Sequence, residues 1–535
     1  MLTGAILAAA AALWIVGSYH PWLIENDGSQ YISIARNLLD GHGNASSTLM
    51  YESQLRTGLL PSPQTVWPPG FPAAIALLMK LGVDPGWAGF LLSLLAWGVI
   101  WTLTFKLLRR AGASAGTGML GACLWALTAI DVDHVLGSYS DLTFTCLTVC
   151  AAWYWAYASR AAGFSAAAMA GFGIFASLAI LVRYAGLFFF AAAAAHTLLA
   201  FPLTRNFQLF KQRLCALILP ALTIAGLFTY VYTTIGSLDR SGDPMVFRSV
   251  TAAAKSVYWG FRDIFGMTLN FSPKEPPLRW LAGIGLTLGI AGAAILRLRS
   301  AQLPAAAACR PETHAMLGFA LLVVGANIAG LFSQALWTDA FLPRFLLPTL
   351  PFLILLLFAP GGLFDFGAAA PRLRLAVAAL CGLGFLCGQF QAYGELLPQL
   401  KARQPRTDLE AALDVSTGRE SLRAHLLRRG PILANQSQRL NLALDRPTIG
   451  LPTGAFSRRD WSDAQIQRLA ACYHVGSLVI FKHSYAQDIE TEPDTRIVLF
   501  DALLRGESHP WLTPVVNTPA VSAYDITGPD LPTCK

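Results

Sequence analysis

Charged residues are scarce in this chain: Asp, Glu, Lys and Arg make up 13% of its 535 residues, against roughly 25% in soluble domains. Apolar residues make up 54%, and the mean hydropathy is +0.50. This composition excludes a cytosolic enzyme, a disordered protein, a coiled coil and a small secreted scaffold. Because several apolar runs are long enough to cross a bilayer core, which takes about 20 residues, the sequence predicts a polytopic membrane protein.

Other absences narrow the class further. The first apolar stretch, 2–19, has no Lys or Arg before it and no small-residue cleavage motif after it, which favours a retained span over a signal peptide. The formal net charge of +8 comes without a basic stripe interleaved with aromatic residues, so nucleic acid is not an expected partner. The sequence shows no internal repeat and no His/Cys cluster with zinc-site spacing.

The apolar runs predict eleven membrane spans. An odd number places the two ends of the chain on opposite sides of the membrane. The predicted spans are 2–19, 87–108, 114–130, 141–158, 166–182, 186–202, 214–235, 279–297, 315–335, 344–360 and 373–392.

Basic residues collect on one side of these spans. With the N-terminus inside, the inner connections contain twelve Lys and Arg residues but only two acids, and positively charged loops resist translocation. The bias predicts a cytoplasmic N-terminus and places the loops 20–86 and 236–278 outside. The basic residues are Lys106, Arg109, Arg110, Arg160, Arg205, Lys211, Arg213, Arg297, Arg299, Arg310, Arg372 and Arg374, and the acids are Glu312 and Asp365.

The composition changes near residue 398. Charges return from Lys401 onward, and short strand and helix patterns alternate. We therefore expect a transmembrane catalytic domain over 1–397 and an extracytoplasmic domain over 398–535. The predicted elements are strands 431–435, 447–450, 478–481, 511–516 and 521–526 and helices 438–444 and 461–473, the latter beginning at Ser457 or Asp460. The fold class is an α-helical membrane protein with juxtamembrane helices outside the cytoplasm and a small C-terminal α/β domain.

Cysteine usage fits this division. Six of the nine cysteines fall in or beside predicted spans, and Cys309 lies in a cytoplasmic connection, where thiols stay reduced. Only Cys472 and Cys534 lie in the domain expected outside the cytoplasm. A disulfide between them is a prediction, because sequence spacing does not establish disulfide geometry.

The first outer loop contains a predicted amphipathic helix. Its apolar residues Ile32, Ala35, Leu38 and Leu39 recur at helical spacing, which favours a helix on the membrane surface. Gly41 supplies a C-cap with positive φ. Asp27 lies just before this helix, where it could be the N-cap, could act as a base beside a docked headgroup, or could do both; Ser29 is an alternative cap.

Two further segments bear on chemistry. Val66–Pro72 contains three prolines and Gly70, which suits either a rigid turn or a shaped binding segment before the predicted apolar helix 73–81. Asp131, Asp133 and His134 precede Ser138–Asp141. This cluster fits either a solvated loop or a site that holds a divalent cation or an acceptor, and Asp141 suits the N-terminus of the following span.

Three arginines are candidate anion ligands on the outer side. Arg183 separates two apolar runs, Arg344 lies at the start of the predicted span 344–360, and Arg262 lies in the loop 236–278. Each could be a snorkelling charge or a phosphate ligand. Carboxylates and guanidinium groups on one membrane side suit a reaction in which a base activates a hydroxyl and cations hold a phosphate leaving group.

These motifs, taken in order, resemble those of the integral-membrane glycosyltransferases of the GT-C fold, which include protein O-mannosyltransferases and the lipid A aminoarabinose transferase. The matching residues are Asp27, Tyr31, Ala35, Arg36, Leu38, Gly41 and Gly43 in the first loop, Pro68–Pro72, Ser138–Asp141 and Arg344–Pro348. The C-terminal domain is similar in its Leu-Ala-Asn strand and its final strand pair. The resemblance covers nearly the whole chain.

The resemblance implies a transferase that moves one sugar from a polyprenyl-phosphate carrier to an acceptor, with inversion. Asp27 is then the base or a metal ligand, Asp141 a supporting acid, and Arg344, Arg183 and Arg262 the phosphate ligands. The motif residues Tyr31, Arg36, Pro69, Gly70 and Tyr139 are expected to contact substrate. If a divalent metal is used, Asp27, Asp131, Asp133 and His134 are its candidate ligands. Many relatives carry a paired Asp-Glu in the first loop, whereas Gly28 follows Asp27 here, which leaves the acceptor class open.

The expected setting is the bacterial inner membrane, with a lipid-linked donor and an extracytoplasmic glycan, lipid or protein acceptor as partners. One alternative is an oligosaccharide ligase or polymerase with a polyprenyl-diphosphate donor. A lipid or solute transporter is a weaker alternative, because transporters place functional polar groups mid-span within repeated halves.

The predicted topology can be tested with a fused reporter. Alkaline phosphatase joined after residue 400 is expected to be active, because that enzyme folds only outside the cytoplasm, and green fluorescent protein at the same site is expected to be dark. The opposite pair of results would contradict the eleven-span topology.

Overall fold

The computed structural model describes residues 26–158, 165–239, 247, 249–269, 275–301, 311–337, 343–365, 371–402, 408–418, 420–453, 461–491 and 495–527. The chain forms two compact units. Among the described residues, those within 90–227 and 247–402 form the helical unit, and those within 26–89, 228–239 and 408–527 form the sheet unit.

Helices dominate the described chain. In chain order they are α1 Asn26–Leu39, α2 Glu52–Leu55, α3 Gly70–Lys80, α4 Pro85–Arg110, α5 Ala115–Ala126, α6 Ala129–Leu136, α7 Ser140–Ala158, α8 Ala166–Val182, α9 Gly186–Thr204, α10 Phe207–Ile235, α11 Val250–Phe265, α12 Pro277–Ala301, α13 Pro311–Trp337, the 3₁₀ helix Pro343–Thr349, α14 Leu350–Phe358, α15 Pro371–Ala402, α16 Asp408–Leu413, α17 Leu422–Leu427, α18 Ser437–Leu444, α19 Asp463–Cys472, α20 Lys482–Thr491 and α21 Val498–Leu504.

Five described helices are long and apolar enough to cross a membrane by length and composition, namely α4, α10, α12, α13 and α15, and the bent pair α5–α6 makes up to six. This confirms a multi-pass membrane protein. The predicted first span, 2–19, lies outside the described residues, and the count of eleven stays a prediction.

Two predicted spans are broken helices, which corrects the expectation of continuous ones. The predicted span 114–130 ends at Ala126, and α6 follows it at an angle of 58°. The predicted span 344–360 begins as the 3₁₀ helix Pro343–Thr349 before α14. Pro348 and Pro351 lack backbone N–H donors and therefore remove hydrogen bonds that a continuous α-helix would make there.

Helices α12 and α15 pack closely through glycines. A Cβ atom at Gly289 would lie 2.2 Å from Cys381 Sγ, and one at Gly384 would lie 2.7 Å from the Leu286 nitrogen. A Cβ atom at Gly388 would lie 1.9 Å from the Phe265 carbonyl oxygen at the end of α11. Small residues at these positions let the backbones of membrane helices approach one another.

The sheet unit contains a small antiparallel pair and a six-stranded mixed sheet. The strands are β1 Ala45–Ser46, β2 Thr48–Leu49, β3 Ser62–Pro63, β4 Ile432–Ala434, β5 Thr448–Ile449, β6 Ser477–Phe481, β7 Leu512–Asn517 and β8 Val521–Ile526. β1 pairs with β3, and the larger sheet has the order β2-β5-β4-β6-β8-β7. The first four strands of that order run parallel, and β8 and β7 are antiparallel.

The predicted α/β domain is confirmed in its strands and helices. The helix predicted over 461–473 is α19, but its N-cap is Ser462, in a capping box with Gln465, rather than Ser457 or Asp460. Cys472 is disulfide-bonded. Its expected partner Cys534 lies outside the described residues, so the pairing stays a prediction.

The first loop belongs to this same unit. Its strand β2 is an edge strand of the larger sheet, and Leu49 is fully buried among Leu433, Ile449 and Leu478. The polar side of helix α1 is buried within the protein as well as its apolar side: Gln30 and Ser33 are 0% and 1% exposed. Gly41 has the predicted positive φ, +83°.

The glycine packing predicts a position-specific loss of stability. Gly388→Ala is expected to lower the free energy of unfolding by about 1–3 kcal/mol or more, because the added methyl group overlaps backbone. Gly382→Ala on the same helix meets nothing within 4 Å and serves as the matched control. Thermal unfolding in detergent measures the stability of both variants. Equal losses of stability in Gly388→Ala and Gly382→Ala would contradict this packing.

Candidate functional site

In the helical unit, Arg183 lies at the sharp connection between two apolar helices. It is the C-cap of α8, with extended backbone at φ −148°, and α9 begins three residues later. Its Nη1 donates a hydrogen bond to Ser140 Oγ at 3.0 Å. The same Nη1 lies 3.0 Å from Asp141 Oδ1.

The Arg183–Asp141 ion pair is largely removed from solvent. The side chains are 14% and 2% exposed, and Asp141 lies in the first turn of α7. A buried carboxylate needs a cation or several donors to stay charged. The second oxygen, Asp141 Oδ2, is buried and has no hydrogen-bond partner among the described residues.

Aromatic rings join this pair to a second arginine. The guanidinium carbon of Arg344 lies 5.0 Å from the ring centroid of Tyr139 and 5.6 Å from that of Phe345. The guanidinium carbon of Arg183 lies 5.4 Å from the ring of Phe345. These distances are within the roughly 6 Å range of cation–π contacts. The 3₁₀ helix that carries Arg344 packs against α7.

The arrangement brings together two sequence-predicted phosphate ligands, Arg183 and Arg344, with one predicted acid, Asp141. Guanidinium groups offer planar, paired donors that match phosphate oxygens. We define this cluster as Tyr139, Asp141, Arg183, Arg344 and Phe345.

The acidic segment before α7 is not the solvated loop considered above. Asp131 and His134 lie on α6 and are 0% and 5% exposed. His134 Nδ1 lies 2.8 Å from the Ile130 carbonyl oxygen, which only accepts, so the hydrogen-bond network places the ring proton on Nδ1. Its Nε2 is buried and has no hydrogen-bond partner among the described residues. The His134 ring packs 4.8 Å from that of Tyr139.

The candidate metal ligands are not assembled. Within the described part of the chain, no group of three or more His, Cys, Asp and Glu side chains is placed to hold a metal ion. Asp131 Oδ2 instead accepts a hydrogen bond from Thr128, and Asp27 belongs to the sheet unit.

Arg262, the third predicted phosphate ligand, is occupied by carboxylates. Its Nε donates to Asp263 Oδ1 at 2.8 Å, and its Nη1 donates to Glu275 Oε1 at 3.3 Å. Its helix, α11, packs against the 3₁₀ helix. The contacts of Arg262 are those of a structural charge on this helix.

In the sheet unit, Asp27 lies in the first described turn of α1 and is half-buried. Both Asp27 and Ser29 are inside the helix, which corrects the expectation that one of them is its N-cap. A carboxylate in a first helical turn is stabilised by the N-terminal end of the helix dipole.

The other first-loop motif residues pack inside the sheet unit. Tyr31 is 1% exposed, and its ring packs edge-on against Trp67 and Phe71 at 5.2 and 5.0 Å. Pro69 is the N-cap of α3. Gly70 is the first residue of that helix rather than the glycine of a tight turn.

Arg36 bonds to the C-terminal region rather than lining an open site. Its Nη1 lies 2.8 Å from Asp445 Oδ1 and 3.5 Å from the Asn441 carbonyl oxygen. Sequence reasoning also missed a polar row on α1 formed by Gln30, Ser33 and Asn37, which are spaced three and four residues apart and 0–4% exposed. Their spacing places the three polar residues on one side of the helix, and this pattern was visible in the sequence.

The ion pair predicts an asymmetric effect of two matched substitutions. Asp141→Asn is expected to lower stability by about 3–5 kcal/mol, because it leaves the guanidinium of Arg183 buried and unpaired. Asp263→Asn removes a carboxylate that is 36% exposed and is expected to cost less than about 1 kcal/mol. Thermal unfolding of both variants in one detergent measures the two losses of stability. A loss of stability in Asp141→Asn no larger than that in Asp263→Asn would contradict a buried ion pair.

Solved structures of ArnT from Cupriavidus metallidurans match nearly the whole chain. The structure bound to undecaprenyl phosphate has a TM-score of 0.56 at 13% identity and covers 98% of this chain and 99% of that chain. The apo structure has a TM-score of 0.54 at 12% identity with the same coverage. AglB, an archaeal oligosaccharyltransferase from Archaeoglobus fulgidus in complex with an inhibitory peptide and a dolichol-phosphate, matches with a TM-score of 0.49 at 14% identity, covering 91% of this chain and 70% of that chain.

Sequence comparison adds nothing to this likeness. No family model matches the sequence, and no curated protein matches it significantly. The structural match confirms the resemblance at the level of fold: the chain is a multi-pass helical membrane protein with a small C-terminal sheet domain, and it shares the fold of ArnT.

Proposed function

We propose that the protein is a membrane glycosyltransferase that moves a monosaccharide from a polyprenyl-phosphate donor to an extracytoplasmic acceptor. The observation that carries this proposal is the pair of guanidinium groups, Arg183 and Arg344, whose carbons lie 5.4 and 5.6 Å from the centroid of the Phe345 ring. It is supported by the shared fold with ArnT, one of whose structures is bound to undecaprenyl phosphate.

The reaction needs a base and a stabilised leaving group. In this proposal the acceptor hydroxyl gives its proton to the Asp27 carboxylate while its oxygen attacks the anomeric carbon. The bond between that carbon and the phosphate oxygen breaks, and polyprenyl phosphate leaves with the bonding electron pair. Attack opposite the leaving group inverts the anomeric configuration.

Arg183 and Arg344 have the role of neutralising the phosphate as negative charge develops on it. Their side chains are held before substrate arrives, Arg183 by Asp141 and Ser140, and Arg344 against the rings of Tyr139 and Phe345. Preorganised donors stabilise developing charge without reorganisation during the reaction. Asp141 acts in this scheme as a positioning residue for Arg183.

The finer assignments are part of the same proposal. Asp27 is the base by the first-loop resemblance and by its half-buried place in the first turn of α1. The setting is the bacterial inner membrane with the N-terminus in the cytoplasm, and the C-terminal domain lies outside. The acceptor is a glycan, a lipid or a protein, and 1–397 and 398–535 are the membrane and C-terminal domains.

Sugar transfer by the purified full-length protein in nanodiscs tests the proposal. Polyprenyl-phosphate sugars are offered with cell-envelope extract as acceptor, with and without divalent cation, and released polyprenyl phosphate is measured. Asp27→Asn is expected to lower kcat by a factor of about 100 or more, because the proton loses its acceptor. Asp40→Asn, an exposed acid just after the same helix, is expected to keep wild-type turnover.

Each outcome bears on the proposal. Turnover that is lost in Asp27→Asn but kept in Asp40→Asn, with both variants folded, supports it. Turnover unaffected by Asp27→Asn overturns the role of that residue. Turnover with polyprenyl-diphosphate oligosaccharides but with no monophosphate donor replaces the proposal with a ligase or polymerase.

A further inference from the structure

The helix that carries Asp27 is held along its length by a buried polar row. Ser46 Oγ donates to Gln30 Oε1 at 2.9 Å, and the Ser47 N–H donates to Ser33 Oγ at 3.0 Å. Asn37 Nδ2 donates to Ser47 Oγ at 3.0 Å. These contacts attach three successive turns of α1 to the Ser46–Ser47 segment.

The same segment is attached to the C-terminal sheet. The Thr448 N–H donates to the Ser47 carbonyl oxygen at 2.9 Å, and the Gly450 N–H donates to the Leu49 carbonyl oxygen at 2.8 Å. Ser47 thus contacts α1 through its nitrogen and hydroxyl and β5 through its carbonyl. One residue joins the helix of the first loop to a strand about 400 positions later in the chain.

Two other contacts bind the first loop to the C-terminal region independently. Arg36 on α1 pairs with Asp445, the left-handed C-cap of α18, and α1 packs directly against α18. The Tyr473 hydroxyl donates to the Leu55 carbonyl oxygen at 3.0 Å. Burial raises the pKa of the Tyr473 phenol, so the hydroxyl remains a donor at neutral pH.

The strand that the first loop contributes is too short to be stable alone. β2 has two residues, and an isolated two-stranded pair is marginal in water. Its stability comes from the sheet and from Leu49, which is fully buried in the core of that sheet. The order of the first loop therefore depends on the C-terminal domain.

We infer that the C-terminal domain, through Ser47, Ser33 and Asn37, positions the helix that carries Asp27. This rests on the proposed function, in which Asp27 is the base. Asp27 is ten residues from Asn37, or roughly 15 Å along a helix. A small rotation of α1 at its Asn37 end therefore displaces the Asp27 carboxylate. A misplacement of about 1 Å at a reacting group can lower turnover by a factor of about 100.

Two Asn→Leu variants of the full-length protein in nanodiscs test this inference. Asn37→Leu removes the hydrogen bonds to Ser47 Oγ and to the Ser33 carbonyl. Asn435→Leu, the matched control, removes two hydrogen bonds to Phe481 in the same domain and none to the first loop. Ser33→Ala is a milder second variant in case Asn37→Leu does not fold.

Amide hydrogen exchange of residues 26–39 and transfer kinetics are the two measurements. In Asn37→Leu, or in Ser33→Ala, exchange over 26–39 is expected to rise about fivefold or more, because the helix loses one of its attachments to the Ser46–Ser47 segment. We expect kcat to fall about tenfold with donor KM within twofold, since Asn37 touches no phosphate ligand. Asn435→Leu is expected to change neither exchange over 26–39 nor kcat.

The outcomes separate this inference from the proposed function. Unchanged exchange over 26–39 in both first-loop variants overturns the inference, whatever the enzyme does. Faster exchange with unchanged kcat also overturns it, because the helix is then loose without consequence. If the wild-type protein transfers no sugar, the proposed function fails, while the exchange data still decide whether the C-terminal domain holds α1.

Discussion

The buried ion pair between Arg183 and Asp141 is the constraint around which the polar part of the helical unit is arranged. A lone charge among apolar helices is costly, so each partner requires the other, and the pair joins the end of α8 to the start of α7. Ser140 adds a second acceptor for the same guanidinium. The aromatic contacts of Arg183 and Arg344 with Phe345 extend this order to the 3₁₀ helix. The positions of these side chains are therefore fixed by contacts within the fold.

In the sheet unit, the main structural feature is a long loop that is ordered by its contacts with the C-terminal domain. Loops of this length are rarely ordered unless they pack against something. Here the loop contributes an edge strand to the C-terminal sheet and buries Leu49 in the core of that sheet. Its Ser46 and Ser47 also hydrogen-bond to the polar row on its own helix. The role of the C-terminal domain can thus be argued from hydrogen bonds, since residues of the loop and of the domain satisfy one another's backbone groups.

How far the sequence predicted this structure can be judged from particular residues. Long periodic segments were predicted well: α8 spans the predicted 166–182, and β8 spans the predicted 521–526. The positions at which apolar helices change direction or helix type were not predicted. Thr128 and Pro348 interrupt apolar runs whose hydropathy continues across them, so composition alone does not mark the turn. At the candidate site, Arg183, Arg344 and Asp141 were named from sequence and are brought together. Tyr31, Arg36 and Arg262 were also named, but the structure places them in packing contacts and ion pairs.

By itself the sequence determined the class of protein, because low charge and long apolar runs are properties of local composition that no distant contact can change. It also predicted the five strands of the C-terminal domain and two of its helices, α18 and α19, whose patterns are local, but not α16, α17, α20 and α21. Only the tertiary structure decided which polar residues are partners. Asp141 pairs with Arg183, 42 positions later in the chain, and Ser47 hydrogen-bonds to Thr448, 401 positions later. Such pairings depend on how helices and strands pack. The amphipathic pattern of α1 shows the same limit, since a polar face is solvated or buried according to what the rest of the chain places against it.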